Sequence, residues 1–121
     1  MSESTTSEPV THFWYARPVF FVSDLQGALR FYIDQLGFTK KWHKETVCQV
    51  DHGDCEIILC QSAERRDKSR LFIELTRDGH AALRREISER SVPFQKTWWG
   101  YDSILVTDPD GNELLFPYEN E

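Results

Sequence analysis

Residues 18–38 read PVFFVSDLQGALRFYIDQLGF, and this stretch holds a strand, a helix start, a helix and a stop signal in succession. The apolar run at residues 16–23 predicts a strand, and Ser23 and Asp24 both favour the N-terminal cap of a helix. Leucine and tyrosine then recur at helical spacing, and Gly37 stands where a helix commonly ends. The stretch therefore predicts a β-strand followed at once by one amphipathic helix.

The rest of the chain continues this pattern and then repeats it. Three further strands are predicted at residues 38–43, 47–51 and 55–60. After a polar, aperiodic stretch the pattern starts again with a strand at 70–76, a helix capped by Asp78, and strands at 93–97, 103–107 and 113–118. The turn sequence Asp108-Pro-Asp-Gly111 separates the last two strands.

Several residue types recur in order in the two halves. Asp24 and Asp78 open the helices at an offset of 54, and Trp42 and Trp98 follow at 56. The offset reaches 57 where Asp51-x4-Glu-Ile-Ile-Leu matches Asp108-x4-Glu-Leu-Leu-Phe. A slow drift of this kind is expected when short insertions separate two copies of one unit.

The repeat predicts an α+β domain of two βαβββ modules, which form a cleft between curved mixed sheets. Module one spans residues 15–61, a linker spans 62–69 and module two spans 70–118. A module with one helix covers only one face of its sheet, so two modules can pair their sheets and leave the helices outside. The cleft between the sheets is the predicted binding site.

Composition narrows the function classes. A chain of 121 residues suits a single domain over 15–121, with a flexible polar tail over 1–14. The net charge of −6 argues against nucleic acid and against an anionic membrane surface. No apolar run can span a membrane and no signal peptide is visible, so a cytoplasmic location is predicted. Three cysteines without zinc-type spacing predict buried apolar roles.

The segments around residues 18–38, together with Trp99-Gly100 and Asp108-Pro-Asp-Gly-Asn-Glu-Leu-Leu115, resemble the vicinal-oxygen-chelate superfamily, which includes glyoxalases, bleomycin-resistance proteins and dioxygenases. The resemblance covers roughly residues 16–118. It implies the two-module fold. It also implies, for the enzymes of the superfamily, a divalent metal held by side chains in the cleft.

Matching the ligand positions of the superfamily to this chain leads to Arg17, Ile58, Leu115 and a position near Phe72. Arginine stays protonated, and isoleucine and leucine have no donor atom, so three of the four positions fail. The fourth falls within a residue or two of Phe72, with Arg70 and Glu74 nearby. We therefore predict no metal and no other cofactor, and we expect binding without catalysis. Glu56 and Glu113 occupy equivalent places near strand starts, where a solvated strand end is the simplest interpretation.

Without a metal set, the chain resembles the bleomycin-resistance branch, which implies a homodimer that binds a small-molecule ligand and confers antibiotic resistance by sequestering it. The predicted ligand is aromatic or cationic. Trp98 and Trp99 are the first candidates for stacking against it, and Trp42 is the second. Tyr101 and Asp102 are candidates for polar contacts, and Arg17 is a candidate partner for a ligand carboxylate or for a neighbouring acid.

Three alternatives stay open from the sequence. The tryptophan pair can serve dimer packing instead of ligand stacking. The chain can be a metal-dependent lyase, isomerase or dioxygenase with displaced ligands. It can also be a sensor or interaction module whose cleft receives a partner chain.

Overall fold

The computed structural model describes residues 13–65, 67–98 and 100–118. The first module contains β1 (Val19–Val22), α1 (Leu25–Leu29), a π-helical segment (Arg30–Gln35), β2 (Thr39–Lys44), β3 (Val47–His52) and β4 (Cys55–Gln61). The second contains β5 (Arg70–Phe72), α2 (Arg77–Glu89), β6 (Gln95–Trp98), β7 (Asp102–Thr107) and β8 (Glu113–Pro117). Residues 1–12 of the predicted tail, and Trp99, lie outside the described residues.

Each module forms one four-stranded mixed sheet. The strand orders are β1-β4-β3-β2 and β5-β8-β7-β6. In both sheets the first strand lies parallel to the fourth, and the other neighbours are antiparallel. The predicted α+β fold of two βαβββ modules is confirmed.

The first helix follows β1 directly, as predicted, but its start is stabilised differently. Asp24 is the capping residue, yet its side chain makes no capping hydrogen bond. The Leu25 N–H donates instead to Gln61 Oε1, at 2.8 Å, which ties the helix start to the end of β4. Gly37 has a φ of 81°, a conformation that glycine adopts at little cost, so the predicted stop is confirmed.

The second module departs from the prediction around residues 73–78. Strand β5 ends at Phe72, although the Ile73 N–H still donates to the Leu115 carbonyl at 2.8 Å. The next bond of the parallel ladder would need an N–H from residue 117, which is proline, so the strand cannot continue. Thr76, not Asp78, caps α2, because its Oγ1 accepts from the Gly79 N–H at 3.0 Å.

A single hydrophobic core joins the two modules. It contains residues from both sheets and both helices, among them Phe20, Ile57, Val106 and Leu114, each 0% exposed. The buried Tyr32 hydroxyl donates across the module boundary to Asp108 Oδ2 at 2.9 Å. Burial and then Asp108 raise the pKa of Tyr32, so it stays a neutral donor.

The internal repeat holds in the central strands and fails in the hairpins. Val19 lies opposite Ile58 in the first sheet, and Phe72 lies opposite Leu115 in the second. From Ile58 the cross-strand row continues through Gln49 to Trp42, whereas the row from Leu115 continues through Leu105 to Gln95. Trp98 is therefore not the structural counterpart of Trp42. The β2–β3 turn has two residues and β2 carries a bulge, whereas three residues join β6 to β7, so a constant offset misaligns these strands.

Candidate ligand-binding site

Strand alternation gives the first sheet a face opposite the core on which polar and apolar side chains are mixed. Phe20, Val22, Cys48 and Val50 point into the core. Their neighbours form the outer face of the first sheet, a surface defined by these residues: Val19, Trp42, Gln49, Asp51, Glu56 and Ile58. Four of them, Val19, Ile58, Gln49 and Trp42, form one row across the strands.

Gln49 is the centre of a hydrogen-bond network on this face. Its Oε1 accepts from Arg17 Nη1 at 2.7 Å and from Trp42 Nε1 at 2.8 Å. Its Nε2 donates to Asp51 Oδ1 at 2.8 Å and to Glu56 Oε1 at 3.0 Å. Gln49 is 2% exposed, and its amide makes all four bonds that an amide side chain can make. The orientation of the amide is thereby determined by its partners.

The network separates opposite charges. The guanidinium of Arg17 contacts the oxygen end of the Gln49 amide, and its Cζ lies 5.3 Å from the Tyr15 ring centroid. Two carboxylates contact the nitrogen end. Asp51 and Glu56 are directly opposite each other in the β3–β4 pair, where like charges repel. The Gln49 amide bridges them and reduces that repulsion.

The structure brings two of the predicted site residues together. Arg17 and Trp42 share Gln49 as their partner, and Trp42 is 38% exposed. Tyr101 lies in the second module, with its ring centroid 6.4 Å from that of Phe72. Trp98 is 71% exposed at the end of the edge strand β6. Trp98 and Lys96 are two residues apart in β6, so their side chains are on the same face of the sheet. The cross-strand partner of Lys96 is Ile104, a core residue, so Trp98 is on the core side and Leu105 is on the opposite face.

The outer face of the second sheet is mainly apolar. Phe72, Leu105 and Leu115 form its central row. At one end of this row Arg70 Nε donates to Glu113 Oε1 at 2.7 Å, and the two side chains form an ion pair. The polar network of the first sheet has no counterpart in this row.

The residues at the superfamily's ligand positions do not fit a metal ion. Arg17 is a cation that donates to Gln49, while Ile58, Phe72 and Leu115 offer only carbon atoms. The side-chain oxygen of Gln49 is a possible metal ligand on this face, but it already accepts two hydrogen bonds. Among residues 13–65, 67–98 and 100–118, no three His, Cys, Asp or Glu side chains come together as a metal site.

A thiol near the carboxylates is not reactive at neutral pH. Burial, followed by the charges of Asp51 and Glu56, raises the pKa of Cys55 to about 11. A protonated thiol is neither a good nucleophile nor a good metal ligand. Cys55 packs against the core, on the side of β4 opposite Glu56 and Ile58.

Sequence reasoning missed Gln49 and misjudged Glu56. The expected solvated strand end is instead a carboxylate that accepts from Gln49 and is only partly exposed. The available signal was the alternation in β3, where a glutamine stands between Cys48 and Val50, two buried residues. A polar residue at the centre of such a strand must find partners, but its partners come from three separate segments.

The comparisons with known proteins agree with this fold. Residues 9–116 match the family model of the Glyoxalase/Bleomycin resistance protein/Dioxygenase superfamily, and the chain belongs to that superfamily. No curated protein matches the chain. None of the described helices is long and apolar enough to cross a membrane.

Solved structures of differing activity share the fold. The bleomycin-binding protein from Streptomyces verticillus, solved with copper(II)-bleomycin, is 24% identical, with 92% of this chain and 100% of that chain covered and a TM-score of 0.72. Lactoylglutathione lyase from Agrobacterium tumefaciens is 15% identical, covers 90% and 94%, and has a TM-score of 0.68. The oxidase ChaP-H2 is 13% identical, covers 90% and 96%, and has a TM-score of 0.71. At these identities the likeness concerns the fold.

Proposed function

We propose that this protein binds a small aromatic or cationic organic molecule on the outer face of the first sheet and leaves it chemically unchanged, with sequestration of a bleomycin-type antibiotic as the leading example. The observation that carries the proposal is the Gln49 network. It orients Trp42 and Arg17 at the oxygen end of the Gln49 amide and two carboxylates, Asp51 and Glu56, at its nitrogen end. The metal-ligand positions on this face are lost.

Trp42 supports an aromatic ligand. Its indole N–H is bound to Gln49 while its ring remains 38% exposed, so the ring is oriented before a ligand arrives. Contact between aromatic rings is worth about 0.5–1.5 kcal/mol beyond the area buried. A cationic group above the ring gains a similar amount.

The paired carboxylates support a positive charge in the ligand. Asp51 and Glu56 face each other across β3 and β4, and a cation between them would relieve their mutual repulsion. Arg17 does not share this position, since it contacts the opposite end of the Gln49 amide. The overall charge of −6 favours the approach of a cation as well.

The bleomycin-binding relative supports the leading example at the level of the fold. That protein has been solved with copper(II)-bleomycin bound. Lactoylglutathione lyase has the same fold, so a metal-dependent lyase or isomerase is the competing function. The lack of metal-donor atoms at Arg17, Ile58 and Leu115 favours binding over metal chemistry.

We further propose that the protein works as a homodimer in which the outer faces of sheets from two protomers enclose the ligand. Exposed apolar side chains on or near the first-sheet face support this arrangement, namely Trp14, Tyr15 and Val19. Light scattering at micromolar concentration should give twice the monomer mass of 14.2 kDa. A monomeric mass at that concentration would contradict the dimer, because one protomer does not supply both of the sheet faces that are proposed to enclose the ligand.

Calorimetric titration with metal-free bleomycin and with copper(II)-bleomycin tests the binding proposal. We expect saturable binding of at least one form. Glu56→Gln should weaken it on the order of tenfold, the loss expected for one charge-assisted contact. Asp54→Asn changes the net charge equally in an exposed turn and should have little effect.

Two results would overturn this proposal. One is the absence of saturable binding for either form, together with no response to other cationic aromatic compounds. The other is one equivalent of Ni, Zn, Mn or Fe by mass spectrometry in protein purified without chelators or an affinity tag. The second result would favour the metal-dependent enzyme.

A further inference from the structure

A second concave surface lies beside the start of α2, away from the Gln49 network. This α2 groove has a volume of about 900 Å³ and is walled by the first turns of α2 and by residues of β6 and β8. Its charged and aromatic walls are formed by Arg77, Arg84, Lys96, His80, Tyr101 and Tyr118. Of the predicted site residues described, only Tyr101 contributes to it.

The charge in the α2 groove is opposite to that of the whole chain. Of the described residues that line the groove, three are cationic, namely Arg77, Arg84 and Lys96, and one is acidic, namely Glu74. The chain as a whole carries −6. Arg84 and Lys96 on one concave surface of an acidic protein favour a local positive potential, which attracts anions.

The aromatic wall of the groove is organised around Tyr118. The guanidinium carbon of Arg84 lies 5.1 Å from the Tyr118 ring centroid. The His80 ring packs edge-on against the same ring, with centroids 5.4 Å apart. An arginine held on an aromatic face keeps its hydrogen-bond donors directed outward along its plane, where they suit a carboxylate or phosphate.

His80 has a ring nitrogen without a hydrogen-bond partner, and its pKa is affected by a neighbouring cation. Its Nε2 is buried without a hydrogen-bond partner among the described residues. Burial and then the charge of Arg84 lower the pKa of His80, so the imidazole is neutral at pH 7. A neutral imidazole adds no charge, so the positive potential of the groove comes from its arginine and lysine side chains.

We propose that the α2 groove is a second binding site, for a small organic anion: a carboxylate or phosphate monoester on Arg84 and Lys96, with an apolar or aromatic body against Tyr101 and Tyr118. The site is separate from the first-sheet face in both residues and charge. It takes ligands of opposite sign from those proposed there, so either site can exist without the other.

Proton–nitrogen NMR titration with phenyl phosphate tests the site directly. We expect saturable shifts at the backbone of α2 and β6 and, in aromatic proton–carbon spectra of the same samples, shifts of the His80 and Tyr118 ring signals. Inorganic phosphate should bind more weakly, because it lacks the ring that contacts the tyrosines. Benzoate in place of phenyl phosphate shows whether the site prefers a carboxylate.

Two charge-neutralising variants localise the interaction. Arg84→Gln and Lys96→Gln should each weaken phenyl phosphate on the order of tenfold, as expected for the loss of one charge-assisted contact. Arg85→Gln is the matched control, since Arg85 is exposed on the same helix and does not line the groove. All three variants change the net charge by the same amount.

The proposal is overturned by shifts that never saturate, or by an equal loss of affinity in Arg85→Gln, since either result describes diffuse attraction to surface charge. Equal affinity for inorganic phosphate and phenyl phosphate would overturn the organic part of the proposal.

Discussion

Replacing Gln49 by leucine tests whether the network on the outer face stabilises the protein. Leucine occupies a similar volume at a position that is 2% exposed, but it removes four hydrogen bonds. Arg17 loses its acceptor, the Trp42 indole N–H loses its partner, and Asp51 and Glu56 lose the amide that bridges them.

The expected loss follows from two opposing contributions. Four hydrogen bonds at about 1 kcal/mol each amount to about 4 kcal/mol. We take this low value for bonds to charged groups because the partners of Gln49 are partly exposed. Burying a leucine side chain returns about 2 kcal/mol. Gln49→Leu should therefore reduce the free energy of unfolding by about 2 kcal/mol, a large share of the stability of a domain of this size.

Urea denaturation monitored by tryptophan fluorescence and by circular dichroism measures this change. Gln95→Leu is the matched control, because Gln95 is exposed on the edge strand β6, and it should change stability by no more than about 0.5 kcal/mol. If Gln49→Leu is as stable as the native chain, the network contributes nothing net and the argument for a preorganised Trp42 fails.

Three further changes in unfolding free energy follow from the structure. Tyr32→Phe leaves the buried Asp108 carboxylate without its hydroxyl donor and should cost about 1.5–3 kcal/mol by urea denaturation; an unchanged midpoint would mean that Asp108 is satisfied without Tyr32. Gly37→Ala places a side chain on a residue with φ of 81° and should cost about 1 kcal/mol by the same assay. No larger loss is expected, because the nearest atom, Arg90 Nη1, belongs to a flexible side chain that can move away. An unchanged stability would show that the turn relaxes freely. The lowered pKa of His80 means that the unfolded chain binds its proton first as pH falls, so stability should decrease from about pH 7 downward until the folded-state pKa is passed. His80→Gln should flatten that part of the pH profile, whereas His43→Gln, at an exposed position, should not.

The elements that the sequence predicted well depend on local interactions. The strand, helix and glycine stop of residues 18–38 use propensity, apolar spacing and one positive φ, each of which acts within a few residues. The two-module arrangement could also be predicted, because the same local pattern occurs twice. The family model and the shared fold of the solved relatives agree with it.

The predictions from sequence were wrong where the structure of one strand depends on the strand paired with it. Strand β5 stops at Phe72 because residue 117 on the neighbouring strand is a proline. Trp98 is not equivalent to Trp42 because the two hairpins differ in length. Neither fact is visible from the segment in which the error lies.

The candidate site divides in the same way. Arg17 and Trp42 could be named from the sequence because the resemblance marks the first position and the aromatic type marks the second. That both bind one amide, and that Asp51 and Glu56 bind its other end, depends on the register of β2, β3 and β4. The α2 groove likewise joins Lys96 of β6 to Arg84 of α2 through their packing alone.

By itself, the sequence determined the two βαβββ modules, the superfamily and the loss of metal donors at the usual positions, since these follow from residue type and local spacing. Only the tertiary structure decided that Gln49 organises one face and that positive charge collects in the α2 groove. The physical reason is that hydrogen bonds and electrostatic potentials depend on distances between segments far apart in the chain, and these distances exist only once the strands have paired in register.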